Sequence, residues 1–518
     1  MRTVLASRRL KAALYLASSP FVPDHNPIRF TRSSMKITSI KVLFAGLVLA
    51  FSTAAVAQIA SFKHIVIIFQ ENRTPDNLFQ GLCVTGSSCS THPTGNQYNI
   101  QTNNWLDNDS SSGLMQPLPV PLASTYDLHH SRSAWAFQCN PDANGACKMN
   151  GSSDVPCDPV SVCNRFPHPQ FRFVDNSKGI LNSYLALAKQ YGWANYMFQT
   201  NQGPSFPAHQ FIFGGTSAPL VNSSVNDDAL GIFASENPSE TSGAAGCIAL
   251  AGTTVQLVNS SGEQIDNAIF PCFEHQTMAD LLDKATPAIS WKYYSPGSGS
   301  IWTAPNAIQH ICQPNRPTGG KCTGPGWLNN VDLNPMDVLT DIANCKLPGV
   351  SWVIPSGNNS DHAGINTGGG PSWVASVVNT IGRNTACDGN GYWNDTAILI
   401  AWDDWGGWYD HEPPTILPPP AGNYQLGFRV PLIVVSAYTP VGYINNSRLD
   451  FGSMLRFVEH NFNLGEGALS FADARATTNL APFFNLNQGP RKFQVIPALH
   501  NAKFFLNDKT PPTDPDDD

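Results

Sequence analysis

Residues 397–414 constrain the fold more than any other part of this 518-residue chain. The stretch begins with an unbroken apolar run, Ala-Ile-Leu-Ile-Ala-Trp, which predicts a buried strand. That run ends directly in two carboxylates, Asp403 and Asp404, and two glycines and an Asp-His pair follow. Carboxylates are costly to bury at a strand end unless a positive charge lies beside them. The sequence therefore predicts that Asp403 and Asp404 hold a metal ion.

A second buried strand, predicted at residues 62–69, ends in the same way, because Glu71 and Asn72 follow it closely. Further strand-like segments alternate with segments of helical spacing, which predicts an α/β fold with a largely parallel sheet flanked by helices. In open sheets of this kind, ligands bind at the carboxyl ends of the strands. We therefore expect Glu71 and Asn72 to lie beside Asp403 and Asp404 if the two strands end at one edge. The predicted strands are 62–69, 288–294, 350–355, 397–402 and 429–436, and the predicted helices are 180–191, 277–284, 371–381 and 452–462.

Residues 201–209 place a serine in a rigid turn. Ser205 follows Gly203-Pro204 and precedes Phe206-Pro207, a pattern typical of a fixed turn that begins a helix. A nucleophile there faces the positive end of the helix dipole and free backbone N–H groups, which suit an anion. A neighbouring metal ion would lower the pKa of the hydroxyl and polarise an ester oxygen. Ser205 is therefore our candidate nucleophile.

The charge and the cysteines exclude other classes of protein. The net charge is -8, and the absence of a basic stripe argues against nucleic acid as the main partner. The 12 cysteines include no CxxC pair, so a thiolate zinc site is not expected. An even cysteine count in an exported chain predicts disulfides, although spacing alone does not fix their connectivity. Short separations favour Cys83–Cys89, Cys157–Cys163, Cys312–Cys322 and Cys247–Cys272.

The first 57 residues predict an N-terminal extension and an export signal. Two lysines precede an apolar run at 42–51, and Ala55-Val56-Ala57 matches a small-x-small cleavage site. The apolar run is too short to predict a membrane span. Residues 1–34 either lie upstream of a true start at Met35 or form a real extension. We expect a periplasmic or extracellular protein with no stable transmembrane anchor after cleavage.

The remainder, residues 58–518, is predicted to form a single catalytic domain. Two irregular, polar segments interrupt the alternation of strands and helices, at about 81–170 and at 217–272. We interpret both as loop insertions over the sheet.

Several separated motifs, in this order, resemble those of the bacterial phosphoesterase family. That family includes non-specific phospholipases C and a metal-dependent acid phosphatase, on an alkaline-phosphatase-like fold. The resemblance runs from about residue 63 to about residue 497 and therefore implies the same fold here. The motifs are residues 70–73 with Asp76, residues 203–205, residues 351–355 with Asp361-His362, and residues 403–414.

The resemblance implies a role for each candidate residue. Glu71, Asn72, Asp403 and Asp404 match metal ligands, and Ser205 matches a nucleophile that also touches the metal. His130, His310 and His362 match positions that contact the phosphate or assist proton transfer. The expected cofactor is a divalent ion in an oxygen-rich site, and Ca, Mg, Mn, Zn and Fe all remain open.

The expected function is that of an exported, metal-dependent phosphoesterase. Acid-phosphatase-like hydrolysis of monoesters is one form, and phospholipase C action on phospholipid head groups is the alternative. The nucleophile is Ser where many phospholipase members have Thr, and the chain lacks their long extension after residue 497; both features favour the monoesterase. A non-catalytic, disulfide-braced surface protein is a remote alternative, because the nucleophile and the metal carboxylates are all present.

Overall fold

The computed structural model describes residues 61–83, 88–239, 244–418, 424–469 and 471–513. Its centre is an eight-stranded sheet with the spatial order β4-β3-β5-β1-β6-β7-β2-β8. Every neighbouring pair is parallel except the two pairs that β7 makes with β6 and β2. The strands of this sheet, numbered in chain order, are β1 His64–Gln70, β2 Gly192–Met197, β3 Trp291–Tyr294, β4 Val331–Asp332, β5 Val350–Val353, β6 Thr396–Trp402, β7 Leu432–Ser436 and β8 Tyr443–Leu449.

Helices cover both faces of this sheet. On one face, the ring of Phe69 in β1 packs on Phe451 and His209, which belong to two of the helices given below. Side chains alternate between faces along a strand, so Trp402, which is paired with Gln70, points the other way and meets Tyr184. The main helices are α1 Arg132–Cys139, α2 Asn182–Gln190, α3 Ser205–Gly214, α4 Met278–Lys284, α5 Asp337–Ala343, α6 Gly370–Arg383 and α7 Phe451–Phe462. The predicted α/β fold with a largely parallel, helix-flanked sheet is confirmed.

The two segments that we interpreted as insertions contain only short elements. The first carries α1 and several strands of two or three residues, and the second carries a small antiparallel sheet. The strands of that small sheet are Phe233–Ala234, Val255–Val258 and Gln264–Ile269. The remaining short helices are Pro75–Leu78, Val160–Cys163, Asp227–Leu230, Gln309–Cys312, Pro325–Asn330, Ala472–Arg475 and Ala502–Asn507.

Disulfides brace these loop-rich segments. All four predicted pairs form, and Cys139–Cys147 and Cys345–Cys387 are also bonded. None of the helices in the described segments has both the length and the apolar character needed to span a bilayer. The predicted signal peptide lies outside the described residues.

Candidate active site

The two halves of the candidate metal centre leave neighbouring strands at the same edge of the sheet. β1 and β6 are parallel neighbours, and Gln70 is in register with Trp402. The backbone N–H of Asp403 continues this pairing, since it donates to the carbonyl of Gln70 over 2.9 Å. Glu71-Asn72 and Asp403-Asp404 are therefore brought together as predicted, and all four side chains are fully buried.

Backbone N–H groups hold one oxygen of each aspartate. The N–H of Asn72 donates to Asp403 Oδ1 over 3.0 Å, and the N–H of Gly406 donates to Asp404 Oδ1 over 2.6 Å. Asn72 Nδ2 donates to His130 Nε2 over 3.3 Å, which fixes the orientation of the amide. Asn72 Oδ1 and Asp403 Oδ2 are buried and have no hydrogen-bond partner within the described part of the chain. Such orphaned oxygens are expected where a cation binds.

Ser205 reaches this cluster from the first turn of α3. Its hydroxyl donates to Glu71 Oε2 over 3.4 Å and to Asp404 Oδ2 over 3.3 Å, and the side chain is fully buried. The two positions that follow Ser205 offer no free N–H group. The N–H of Phe206 donates to Asn237 Oδ1 over 2.9 Å, and Pro207 has no N–H.

His209 is a member of the cluster that sequence analysis did not select. Its Nε2 lies 3.2 Å from Glu71 Oε1, and its Nδ1 lies 3.3 Å from the hydroxyl of Tyr293. That hydroxyl donates its own proton to the carbonyl of Trp302, so Nδ1 must be the donor to Tyr293. A neutral His209 would then face the Glu71 carboxylate with a lone pair. Either a second proton or a cation is needed between them.

These donors together fit a divalent cation. Glu71, His209 and Asp403 each offer a ligand atom, and these atoms all lie within 4.8 Å of one another. Carboxylate and amide oxygens are the ligands of hard cations, and an imidazole nitrogen extends the range to borderline ions such as Zn²⁺. The geometry therefore defines a candidate metal centre with the Ser205 hydroxyl at its edge.

Two of the three predicted histidines lie together beside this centre. The rings of His130 and His362 are 5.7 Å apart, and both side chains are buried. His130 donates from Nδ1 to the carbonyl of Leu128, because its Nε2 accepts from Asn72. The carboxylate of Asp127 lies 4.0 Å from a nitrogen of each ring. Positive charge on either imidazole thus has a nearby counter-ion.

The structure does not place the third predicted histidine, His310, with the other two. Its Nδ1 lies 2.7 Å from Glu274 and its Nε2 lies 3.2 Å from Asp280, and its hydrogen bond with Asp280 raises its pKa. The adjoining His275 packs at Gly214, the last residue of α3. Because α3 has ten residues, its two ends lie about 14 Å apart. His310 is therefore held in a separate ion-pair cluster, away from Ser205.

Buried charges fix the turn that follows Asp404. Arg429 donates to both oxygens of Asp410 over 2.8 and 2.9 Å. His411 contacts Asp76 through its Nδ1 and its backbone N–H. Burial raises the pKa of Asp410 to about 6 even though Arg429 opposes the shift. The contact between His411 and Asp76 joins the motif at residues 403–414 to the motif at residues 70–76.

Gly406 is the turn position at which a side chain cannot fit. Its φ is +61°, and a Cβ would lie 2.5 Å from the carbonyl oxygen of Asn72. We expect Gly406→Ala to lower the free energy of unfolding by about 3 kcal/mol or more, since it combines left-handed strain with a backbone clash. Gly95→Ala is the matched control, because Gly95 has a φ of +60° and nothing within 4 Å of its added Cβ. Urea unfolding of both variants tests this, and equal losses would contradict the clash.

The fold and the site define the class of protein: an α/β enzyme with a serine and a candidate metal centre at the carboxyl ends of its central strands. The chain belongs to the phosphoesterase family, whose model matches residues 62–465. That family consists of hydrolases that act on phosphate ester bonds. The predicted family is thus confirmed.

Curated relatives of this chain are phospholipases C. The hemolytic phospholipase C of Pseudomonas aeruginosa is 22% identical over 86% of this chain and 58% of its own length. Phospholipase C A of Mycobacterium tuberculosis is 25% identical over 37% of this chain and 40% of its own. The matches thus span less than two thirds of each relative. A solved alkaline phosphatase superfamily protein from Vibrio parahaemolyticus aligns over 57% of this chain and 64% of its own, at 11% identity and a TM-score of 0.29, which is too low to support a conclusion.

Proposed function

We propose that this chain hydrolyses phosphate esters by transferring the phosphoryl group first to Ser205 and then to water. One observation carries the proposal. The Ser205 hydroxyl lies 3.3 to 3.4 Å from two buried carboxylates, in a cluster where Asn72 and Asp403 each keep an orphaned oxygen. A serine in such a setting is suited to covalent phosphoryl transfer.

The proposed metal ligands are the five residues named from the sequence: Glu71, Asn72, Ser205, Asp403 and Asp404. A divalent cation bound there would lower the pKa of the Ser205 hydroxyl and offset the charge of the phosphoryl oxygens. His209 holds Glu71 from the other side and is a further candidate donor.

In the first step, Ser205 Oγ attacks phosphorus and its proton passes to a carboxylate oxygen, of which Asp404 Oδ2 is the nearer at 3.3 Å. The bond from phosphorus to the leaving oxygen breaks. His362 contacts a non-bridging oxygen, and Asp127 offsets the positive charge of its ring, while His130 acts through the Asn72 amide that it holds. Water then attacks the phosphoseryl group, and the serine regains its proton.

Among phosphate esters, we propose monoesters as the substrates. Support comes from Ser205 standing where many phospholipase members of the family carry Thr. Phospholipase C action is the second candidate, and the names of the curated relatives favour it.

Export is also part of the proposal, and six disulfides support it because such bonds persist in oxidising compartments.

Comparing a nitrophenyl phosphate monoester with phosphatidylcholine vesicles tests the proposed substrate class. We expect the protein with a divalent cation to hydrolyse the monoester faster, and we expect a chelator to stop the reaction, because the buried carboxylates need the cation. Release of nitrophenol and of phosphocholine measures the two activities. Cleavage of phosphatidylcholine alone would favour the phospholipase candidate. Hydrolysis of neither ester with any divalent cation would contradict the proposed function.

A further inference from the structure

A cavity of about 490 Å³ opens beside the candidate nucleophile. Its wall includes Pro204, which precedes Ser205, and His130, which holds the amide of Asn72. On the side formed by the second insertion, Glu236 and Asn237 line it. A leaving group attached to a phosphate at Ser205 would occupy this space. A side chain of this wall is therefore in a position to protonate a leaving oxygen.

Glu236 is held firmly in this wall. The backbone N–H of Arg132 donates to its Oε1 over 3.1 Å and to its Oε2 over 3.2 Å. Gln264 donates to Oε1 over 3.2 Å, so Oε2 is the less committed oxygen. The next residue, Asn237, accepts the N–H of Phe206 in the first turn of α3. The position of the carboxyl is thus fixed relative to the helix that begins with Ser205.

The surroundings of Glu236 keep a proton available near neutral pH. Burial raises its pKa to about 7, although the N–H and the charge of Arg132 and the charge of His130 oppose the shift. A general acid works best when its pKa lies near the operating pH.

His130 and the other two carboxyl groups of the cavity are less suited to this task. His130 has one ring nitrogen on the carbonyl of Leu128 and the other on Asn72. Asp127 lies between the two imidazoles, where it offsets their charge. Asp158 is exposed at the mouth. Glu236 is therefore the carboxyl in this wall that combines a fixed position with partial burial.

We propose that Glu236 is the general acid that protonates the leaving oxygen. The inference rests on the proposed function, because it needs Ser205 as the nucleophile. As Ser205 Oγ forms its bond to phosphorus, the bond to the leaving oxygen breaks, and the Glu236 proton moves to that oxygen. The alcohol departs neutral and Glu236 is left as a carboxylate. In the second step this carboxylate takes a proton from the attacking water, and so the acid is restored.

Glu236→Gln, which keeps the shape and an acceptor oxygen for Arg132, tests the proposal with two monoesters. An alkyl phosphate needs a proton on its leaving oxygen, whereas a nitrophenyl phosphate expels a stable phenolate. We expect kcat/KM on the alkyl ester, which reports the first step alone, to fall by about 100-fold, a common effect of losing a general acid, while kcat/KM on the nitrophenyl ester changes by only about 2-fold. Equal losses on both esters would overturn the proposal, because a purely structural role affects both alike.

Asp158→Asn is the matched control, because it removes a second carboxylate from the same cavity. We expect it to change both esters by the same factor. A separate variant, Ser205→Ala, shows whether the proposed function itself fails. If Ser205→Ala retained hydrolysis of the nitrophenyl ester, the nucleophile assignment would fall whatever Glu236→Gln showed.

The pH profile of the unaltered protein tests the proposal even if the Glu236→Gln protein does not fold. The acid acts when protonated, so kcat/KM on the alkyl ester, which reports the first step in the free protein, is expected to fall as the pH rises through about 7, the pKa of Glu236. The same constant for the nitrophenyl ester should not fall over this pH range. The charged and titratable groups that face Glu236 or share its cavity act on both esters; they are Arg132, His130, His129, Asp127 and Asp158. Coinciding profiles would overturn the proposal.

Discussion

Replacing Ser205 with alanine is expected to lower kcat on a nitrophenyl phosphate by about 10⁴-fold or more, since removal of a nucleophile leaves only binding and charge stabilisation. The structure gives the reason in two contacts, because Ser205 Oγ is the hydroxyl aimed at both Glu71 and Asp404. The variant should keep its divalent cation, since four of the five proposed ligands remain. Steady-state kinetics and metal content, measured on the same preparation, check both statements.

Ser351→Ala is the matched control for this loss. Ser351 is also fully buried, in β5, and its hydroxyl has no hydrogen-bond partner in the described segments. Its removal should leave kcat unchanged. A Ser205→Ala protein that turns over at the rate of the Ser351→Ala protein would show that Ser205 is not the nucleophile.

The core of the candidate site is predictable from the sequence because two independent patterns converge on it. The apolar runs that became β1 and β6 each predict a buried strand, and each ends in polar groups. Parallel strands bring such ends to one edge, so Asn72 and Asp403 meet although they lie 331 positions apart. The helix start at Ser205 is predictable in the same way, since its glycine and prolines determine the local backbone.

Elements with mixed polarity could not be predicted in this way. β2 places Asn195 in the buried sheet, where it accepts from Trp193 and donates to Gln97, and this polar residue breaks the apolar run. β8 contains Asn445 and Arg448, and its register shifts between them. Asn195 also donates to Asn446 of β8, and Asn446 donates to the carbonyl of Gly95. These partners are distant in sequence, and a local pattern carries no trace of them.

The histidines show the same limit. His209 follows Ser205 by four positions on one helix, a spacing that brings two side chains to one face, so a signal for its place in the cluster was present. His310 was assigned by resemblance, but Glu274 and Asp280 hold it elsewhere. Glu236 had no sequence signal, because it lies in an irregular insertion and its carboxylate is held by Arg132 and Gln264, which are distant in sequence.

Replacing Asp403 with asparagine is expected to remove most of the stabilisation that a divalent cation gives to this protein. A ligand at a hundredfold excess over its Kd stabilises a fold by about 2.7 kcal/mol. When a chelator removes the cation, the difference in stability should disappear or reverse, so that Asp403→Asn is at least as stable as the unaltered protein. The variant then has one fewer charge among the fully buried carboxylates of Glu71, Asp403 and Asp404, whose mutual repulsion no cation offsets. Thermal unfolding with and without added cation measures both effects.

Asp388→Asn controls for cation binding at another carboxylate group. His64, Asp388 and Asp395 also bring three ligand atoms together, at the opposite end of β1. Lys63 already supplies a cation there, because its Nζ lies 2.7 Å from Asp395 and 3.7 Å from Asp388. We therefore expect Asp388→Asn to keep the full metal-dependent stabilisation. If Asp388→Asn lost it and Asp403→Asn kept it, the metal would bind at the wrong end of the sheet to act on Ser205, and the proposed mechanism would fail.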